Sequence, residues 1–223
     1  MSIRADSVFM PLNSHFSNVM SGDTSMRIAR DTYAHVGRGI FHKRHVLLVD
    51  RGMSSRRLLN AEAVRTAITK SLANAPGLDA AGRQLEVLAW KPLGNVSHDV
   101  AAFRHAALIV APHGAGLSNM LFATEGTPVI EICYDSNGGL KKEMLCPAMY
   151  GAMAVNLNLP YWVITAHGTY TSGLRADLAQ LRGAVDQALK VVAHKSETAA
   201  DAATPACAAR RLRRLARDCA FLL

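Results

Sequence analysis

The sequence predicts an α/β fold in which helices cover both faces of a parallel sheet. Four short segments are almost entirely apolar, and segments with helical periodicity separate them. Strands of a parallel sheet are buried on both faces, so they read as continuous apolar runs rather than as alternating patterns. Of the 223 residues, 50% are hydrophobic, which is enough to fill the core of such a domain.

Predicted strands and helices alternate from residue 45 onward. Apolar runs with branched side chains predict strands at 45–50, 84–90, 107–112 and 128–134. Helical spacing predicts helices at 60–72, 97–106, 114–123 and 174–193. Asn60 and Ser97 are the candidate N-caps of the first two helices. We also expect a short helix at 25–36 and one more strand from AVNLNL and YWVIT.

Composition divides the chain into three parts. Residues 1–44 form an irregular N-terminal segment, residues 45–194 form the α/β domain, and residues 195–223 form an alanine-rich linker with a basic amphipathic tail. The net charge is +8, and the five arginines and one aspartate of residues 207–223 supply +4 of it. A mildly basic body suits an anionic ligand without requiring nucleic acid.

The sequence favours neither a membrane span nor a structural metal site. No apolar run approaches the roughly 18–20 residues that cross a bilayer, and the N-terminus lacks the apolar region of a signal peptide. The four cysteines form no CxxC pair and have no zinc-like spacing with histidine. Cys133 lies in a predicted strand, so we expect it to be a core residue.

The stretch APHGAGLSNM, residues 111–120, places His113 and the turn 114–116 where a buried strand becomes a helix. Ligands of open parallel sheets bind beyond the carboxyl ends of the strands. Glycine lets the backbone approach a ligand closely, and the start of a helix favours phosphate. His113 can donate a hydrogen bond to a phosphate, and Asn119 can point back toward a base or sugar. The equally weighted alternative is a tight turn with a core histidine.

The stretch DRGMSSRRLLN, residues 50–60, occupies the same position after a different predicted strand. Arg51 and either Arg56 or Arg57 flank a serine-rich turn, and two guanidinium groups at a strand end can clamp a diphosphate. The alternative for a lone pair of arginines is a solvated basic turn. Because both stretches lie at strand ends, we expect them to converge on one anion.

Glu131 stands inside an otherwise apolar predicted strand, VIEIC. Burial of an unpaired carboxylate is costly, so this side chain is expected to be paired or used. We expect it to accept hydrogen bonds from ribose hydroxyls, as acidic residues do in other nucleotide sites. The alternative is a salt bridge to a neighbouring arginine or lysine.

Together, DR with SRRLLN and the segment HDVAAFRHAALIVAPHGAGLSNMLFATEGTPVIEI resemble the C-terminal half of glycosyltransferase family 61. The resemblance is strong over about residues 45–135 and weaker to about residue 190. It implies a Rossmann-like domain, the donor-binding half of a two-domain GT-B enzyme. It further implies inverting transfer from a UDP-sugar to a protein or polysaccharide acceptor, without metal or cofactor, in the Golgi or ER lumen.

On this resemblance, Arg51 and Arg56 hold the diphosphate, and Glu131 faces the ribose or uracil. The nucleotide and phosphate pocket is lined by His113, Gly114, Ala115, Gly116 and Asn119. The family's candidate base belongs to an N-terminal domain, for which we expect too few residues before the first strand. The catalytic base is therefore unassigned, and neither Asp50 nor Asp99 is chosen for that role.

Three other functions compete with a glycosyltransferase or its donor-binding half. The first is a non-catalytic nucleotide- or glycan-binding module with the same fold. The second is an esterase, which needs a GxSxG elbow that the sequence lacks. The third is nucleic-acid binding through the arginine tail, which a solvated helix or a membrane-surface or partner-binding helix explains as well. We expect no nucleic-acid partner and no membrane span.

Overall fold

The computed structural model describes residues 23–37, 39–40, 44–52, 55–75, 84–91, 94–134, 146, 148–169, 171 and 173–202. Its strands are β1 His45–Val49, β2 Glu86–Trp90, β3 Ala106–Pro112, β4 Val129–Tyr134, β5 Tyr161–Gly168 and β6 Leu174–Ala176. They form one sheet in the order β2-β1-β3-β4-β5-β6. The pairs among β1 to β5 are parallel, and β6 runs antiparallel to β5. The predicted α/β class and Rossmann-like parallel sheet are confirmed.

Helices lie on both faces of this sheet. They are α1 Asp23–Thr32, α2 Ala61–Asn74, α3 Val96–Arg104, a 3₁₀ helix Ala115–Phe122, α4 Met149–Asn156 and α5 Leu178–Ala202. Helices α2 and α5 pack on one face, which we call the back face, and the others pack on the front face. Within the described residues, no helix combines the length and the apolar composition that a membrane crossing requires.

The parallel strands contribute side chains to both faces alternately. Val46 and Leu48 of β1 pack against the back-face helices, whereas Leu47 and Val49 pack on the front face. This alternation follows from the two-residue period of a strand. Because both faces are covered, every residue of β1 is buried, which explains its unbroken apolar sequence.

The C-terminal part of the predicted domain differs from the sequence expectation. Leu174 belongs to β6, and α5 begins only at Leu178 because Asp177 caps it. The Asp177 carboxylate accepts hydrogen bonds from the backbone N–H groups of Ala179, at 2.8 Å, and Gln180, at 3.0 Å. Helix α5 then continues through residues 195–202, which were predicted as linker. The arginines of the predicted tail lie outside the described residues.

Both predicted N-caps act differently from the expectation. The side chain of Asn95, not Ser97, caps α3 by accepting from the backbone of His98 at 3.2 Å. Asn60 precedes α2 but makes no capping bond. Its amide instead exchanges two hydrogen bonds of 3.0 Å with the backbone of Ala176. Asn60 therefore ties the start of α2 to the edge strand β6.

Two further element predictions need correction. The segment predicted as a helix over 114–123 is a 3₁₀ helix, Ala115–Phe122, rather than an α-helix. Of the two stretches proposed for a late strand, YWVIT lies in β5, whereas AVNLNL begins in the last turn of α4 and continues into the following loop. The backbone of Leu159 donates to Ala154 O at 2.8 Å, which closes that helix end.

Candidate functional site

The topology creates a crevice beyond the carboxyl ends of β1 and β3. These strands are neighbours, yet β1 leads to α2 on the back face and β3 leads to the 3₁₀ helix on the front face. Such a topological switch point is where open α/β sheets bind ligands, because the two connections leave the strand ends uncovered. We call this space the crevice. Both motifs that the sequence analysis selected border it.

The described residues after β1, 50–52 and 55–58, form one wall of the crevice, and we call them the arginine loop. Arg51 fixes its fold, since Nε donates to Ser55 O at 2.9 Å and Nη1 approaches His113 O at 3.5 Å. The far end of the loop pairs with β6, where Leu174 N donates to Arg57 O at 2.7 Å. The loop therefore bonds to the residue after β3 at one end and to β6 at the other.

Gly114 is the point at which the arginine loop meets the turn after β3. A methyl group added at Gly114 would lie 1.9 Å from Nη1 of Arg51 and 3.3 Å from Cζ of Arg56. The φ of Gly114 is +144°, a conformation that L side chains rarely adopt. The two stretches thus meet in the fold, and their convergence on one anion stays a prediction. Their meeting places two guanidinium groups against bare backbone.

Arg56 is held in an unusual conformation beside this turn. Its φ is +62°, in the left-handed region that costs a non-glycine residue about 1 kcal/mol or more. Only 8% of the residue is exposed, so the guanidinium is mostly removed from bulk water. Such strain occurs often at ligand sites. Of the two open alternatives, Arg56 rather than Arg57 is the residue that contacts Gly114.

His113 points into the front face and pairs with Glu131. Its Nδ1 lies 2.5 Å from Oε1 of Glu131, and both residues are buried, with 5% and 2% exposed. The second carboxylate oxygen, Oε2, accepts a hydrogen bond from the Tyr161 hydroxyl. Burial, together with the charge and hydrogen bond of Glu131, raises the pKa of Tyr161, so this phenol stays protonated. Glu131 is therefore paired, as the burial argument required.

The pairing of Glu131 changes the role that the sequence suggested. Its partner is a histidine rather than the arginine or lysine of the salt-bridge alternative. With both oxygens bonded to protein groups and the residue 2% exposed, the geometry favours an orienting role for Glu131 over a direct ribose contact. Direct contact with a ribose or uracil stays a prediction that would require this network to open.

The remaining predicted residues lie along the 3₁₀ helix. Ala115 is exposed at its start, and Gly116 sits above the ends of β1 and β2, where an added methyl group would make ordinary contacts with Val49 and Trp90. The helix closes at its start, where the N–H of Leu117 donates to Gly114 O at 2.8 Å. The side chain of Asn119 bonds within the same segment, since its Nδ2 donates to Gly116 O at 3.2 Å.

The two aspartates near the crevice have structural partners. Asp50 accepts from the backbone of Gly52 at 2.8 Å and forms an ion pair with Lys91 at 3.2 Å. Asp99 accepts from the indole nitrogen of Trp90 at 3.0 Å. These bonds account for both carboxylates and do not single out either as a general base.

Two groups at the site escaped the sequence analysis. Tyr161 begins β5, and the pairing of Val129 with Tyr161 and of Glu131 with Val163 places it on the face of Glu131. Cys133 is fully buried, as the prediction of a core residue required, and it forms a disulfide with Cys146, with 5.7 Å between the Cα atoms. Ligand atoms of His113, Glu131 and Cys146 lie within 4.8 Å of one another, but the disulfide occupies the cysteine sulfur.

The fold and the crevice define a Rossmann-like α/β domain with basic and glycine residues at its switch point. The model of the family described as Glycosyltransferase 61 matches residues 1–130, which is more than half of the chain. The chain therefore belongs to glycosyltransferase family 61. The match contains the arginine loop and His113, and it begins earlier than the segment 45–135 on which the sequence resemblance was strongest.

Comparison with other proteins adds little to this assignment. No curated protein matches the chain significantly. Among solved structures, the metal-soaked Flv1 flavodiiron core from Synechocystis sp. PCC6803 aligns with 11% identity and a TM-score of 0.40. The alignment covers 80% of this chain and 42% of that chain. A likeness at this level carries no argument about function.

Proposed function

We propose that this chain binds the nucleotide-sugar donor of a glycosyltransferase, with a UDP-sugar as the donor and a protein or polysaccharide as the acceptor. The observation that carries the proposal is the convergence of Arg51 and Arg56 on Gly114 at the topological switch point. Membership in family 61 supports glycosyl transfer as the activity. The choice of UDP rests on the resemblance to that family.

The crevice suits a diphosphate because protein side chains supply the positive charge there. In inverting transfer the acceptor oxygen forms a bond to the anomeric carbon while the bond from that carbon to the phosphate oxygen breaks. Negative charge then develops on the departing UDP, and fixed positive groups stabilise it. Arg51 and Arg56 would supply this charge, and guanidinium groups match phosphate oxygens in a bidentate geometry. A metal ion is not needed for this step in the proposal.

His113 would provide a further hydrogen bond to the departing phosphate. It follows β3 directly, and its backbone N–H donates to Ile132 O at 3.0 Å, which fixes the residue at the strand end. The proton of the acceptor hydroxyl must pass to a general base. Because Asp50 and Asp99 serve structural contacts, we propose that a group other than these two aspartates supplies the base.

A non-catalytic nucleotide-binding module is the second candidate. The observation that favours it is the structural use of Asp50 and Asp99, which leaves neither of these aspartates as an evident general base. Such a module would bind UDP or a UDP-sugar through the same arginines. It would show no transfer and no slow donor hydrolysis, so activity measurements with donor alone and with donor plus acceptor distinguish the two candidates.

A nucleotide panel tests the proposal. The purified chain would be titrated by calorimetry and by thermal shift with UDP, GDP, ADP and several UDP-sugars. We expect UDP and at least one UDP-sugar to bind and to raise the melting temperature, and GDP and ADP to do so much more weakly. We expect His113→Ala to weaken UDP binding. A folded chain that binds none of these nucleotides would contradict the proposal.

A further inference from the structure

We propose that Glu131 and Tyr161 are positioning residues that hold one proton of the His113 ring on Nδ1, so that a further proton on Nε2 can be donated to the donor phosphate. This inference rests on the proposed function and extends it to residues outside the arginine loop and the glycine turn. Tyr161 belongs to β5, two strands away from the strand that leads to His113. No motif in the sequence pointed to it.

The first step concerns the proton between His113 and Glu131. An ionised carboxylate can only accept hydrogen bonds, so the ring nitrogen that faces it must carry the proton. The nitrogen that lies 2.5 Å from Oε1 of Glu131 is Nδ1. Since a neutral imidazole carries one proton, Nε2 is then the acceptor, and in the imidazolium Nε2 becomes a second donor. A phosphate oxygen only accepts hydrogen bonds, so His113 serves the donor phosphate through Nε2 in the imidazolium form, while Nδ1 donates to Glu131.

The second step concerns the orientation of the carboxylate. A buried carboxylate oxygen without a partner is costly, and it would rotate or attract another group to satisfy itself. The Tyr161 hydroxyl donates to Oε2 and leaves Oε1 directed at His113. The ring of Tyr161 is itself packed, because an added methyl group on Gly151 would lie 3.6 Å from its Cε1. The phenol is thus a fixed donor.

The third step concerns the freedom that the histidine ring would have without this network. The rings of Tyr134 and Tyr150 form T-shaped contacts with the His113 ring at centroid distances of 5.9 and 5.2 Å. These contacts restrict the position of the ring but do not determine which of its nitrogens carries the proton. The neighbouring cations, Arg51 and Arg56, lie on the side of Gly114. Among these neighbours, Glu131 supplies the hydrogen bond to Nδ1, which matches the orienting carboxylate of other histidine sites.

Ring nitrogen spectroscopy on the whole chain tests the inference without any ligand. Long-range proton–nitrogen correlation spectra distinguish the protonated and unprotonated ring nitrogens of His113. We expect the wild-type spectrum to show proton occupancy at Nδ1. We expect Glu131→Gln to give mixed occupancy, because its amide can either accept from Nδ1 or donate to it. Tyr161→Phe should weaken the Nδ1 preference, whereas the surface control Tyr33→Phe should preserve it.

UDP titration of the same variants separates this inference from the proposed function. We expect Tyr161→Phe and Glu131→Gln to bind UDP about tenfold more weakly than wild type while they remain folded. If wild type binds UDP and both variants match it in affinity and in the His113 spectrum, the inference is wrong. A different result would be that the wild-type spectrum shows the Nδ1 proton, the variant spectra do not, and the wild-type chain binds no nucleotide. That result would support the positioning role and contradict the proposed function.

Discussion

Arg51 and Gly114 meet where the ends of two adjacent strands open into the crevice. Nη1 of Arg51 occupies the space that a side chain on residue 114 would need, at 1.9 Å from the position of its Cβ. The same guanidinium holds the arginine loop through Ser55 O. One arginine therefore links the shape of the loop to the absence of a side chain on the opposite turn. The φ of +144° is what favours glycine at residue 114, and the guanidinium of Arg51 fills the space that the missing side chain leaves.

Substitution of Gly114 tests that relationship. We expect Gly114→Ala to lower the free energy of unfolding by about 1–3 kcal/mol, because a φ of +144° is strained for any residue with a Cβ. UDP binding should weaken as well, since Arg51 must move. Urea unfolding and calorimetry check both effects. Gly116→Ala is the matched control, because its Cβ has room, and an equal loss in both variants would contradict the account.

Substitution of Arg56 tests the charge of the crevice. We expect Arg56→Ala to weaken UDP binding by about 1–3 kcal/mol, the scale of a lost charged hydrogen bond. Arg56→Lys keeps a positive charge on a side chain of similar length but lacks the planar guanidinium. This variant should therefore retain part of the affinity for UDP. Calorimetric titration at constant ionic strength measures both. Unchanged affinity in Arg56→Ala would remove this residue from the site.

Much of the fold, and the meeting of the two strand-end motifs, follow from local sequence patterns. The parallel strands were predictable because residues such as Val46 and Leu48 belong to unbroken apolar runs, and a covered parallel strand needs such a run. Convergence of Arg51 with Gly114 followed from two motifs at strand ends. These signals are local in the sequence. Their interpretation requires that the sheet is parallel, but it does not require the order of the strands.

The network behind His113 could not be predicted, because it depends on strand register. Tyr161 reaches Glu131 only since β5 pairs with β4 in one particular register. Cys133 and Cys146 are separated by 13 positions, and no spacing rule pairs them. The prediction that Asn60 caps α2 was wrong for a related reason. Asparagine is a common N-cap residue, but the amide of Asn60 bonds to the backbone of Ala176 instead.

Reduction of the disulfide should destabilise the domain. The bond between Cys133 and Cys146 closes a loop of sequence separation 13, and loops of about 15 residues gain about 3 kcal/mol in the chain-entropy account. We expect dithiothreitol to lower the free energy of unfolding by about 2–3 kcal/mol. The double variant Cys133→Ala with Cys146→Ala serves as control. If dithiothreitol affects wild type no more than this variant, the disulfide does not contribute as described.

Tyr161 should make the stability of the domain sensitive to alkaline pH. Burial and the charge of Glu131 raise the pKa of Tyr161 in the folded state above its unfolded value of about 10. Its stabilising contribution is therefore complete below about pH 10 and is lost as the pH rises toward the folded-state pKa. Urea unfolding at pH 8–11 should show a steeper loss in wild type than in Tyr161→Phe. Parallel curves would contradict this role of Tyr161.

The location of the donor site can be measured directly by titrating the chain with UDP and following assigned backbone amide signals. The account predicts the largest shifts at the crevice, in Gly52, Arg56, Gly114 and Ala115, with smaller shifts at His113 and Glu131. It predicts little change in the outer turns of α1 and α5. Saturable shifts confined to another surface, or no shifts in a folded chain, would contradict the assignment of the crevice as the nucleotide site.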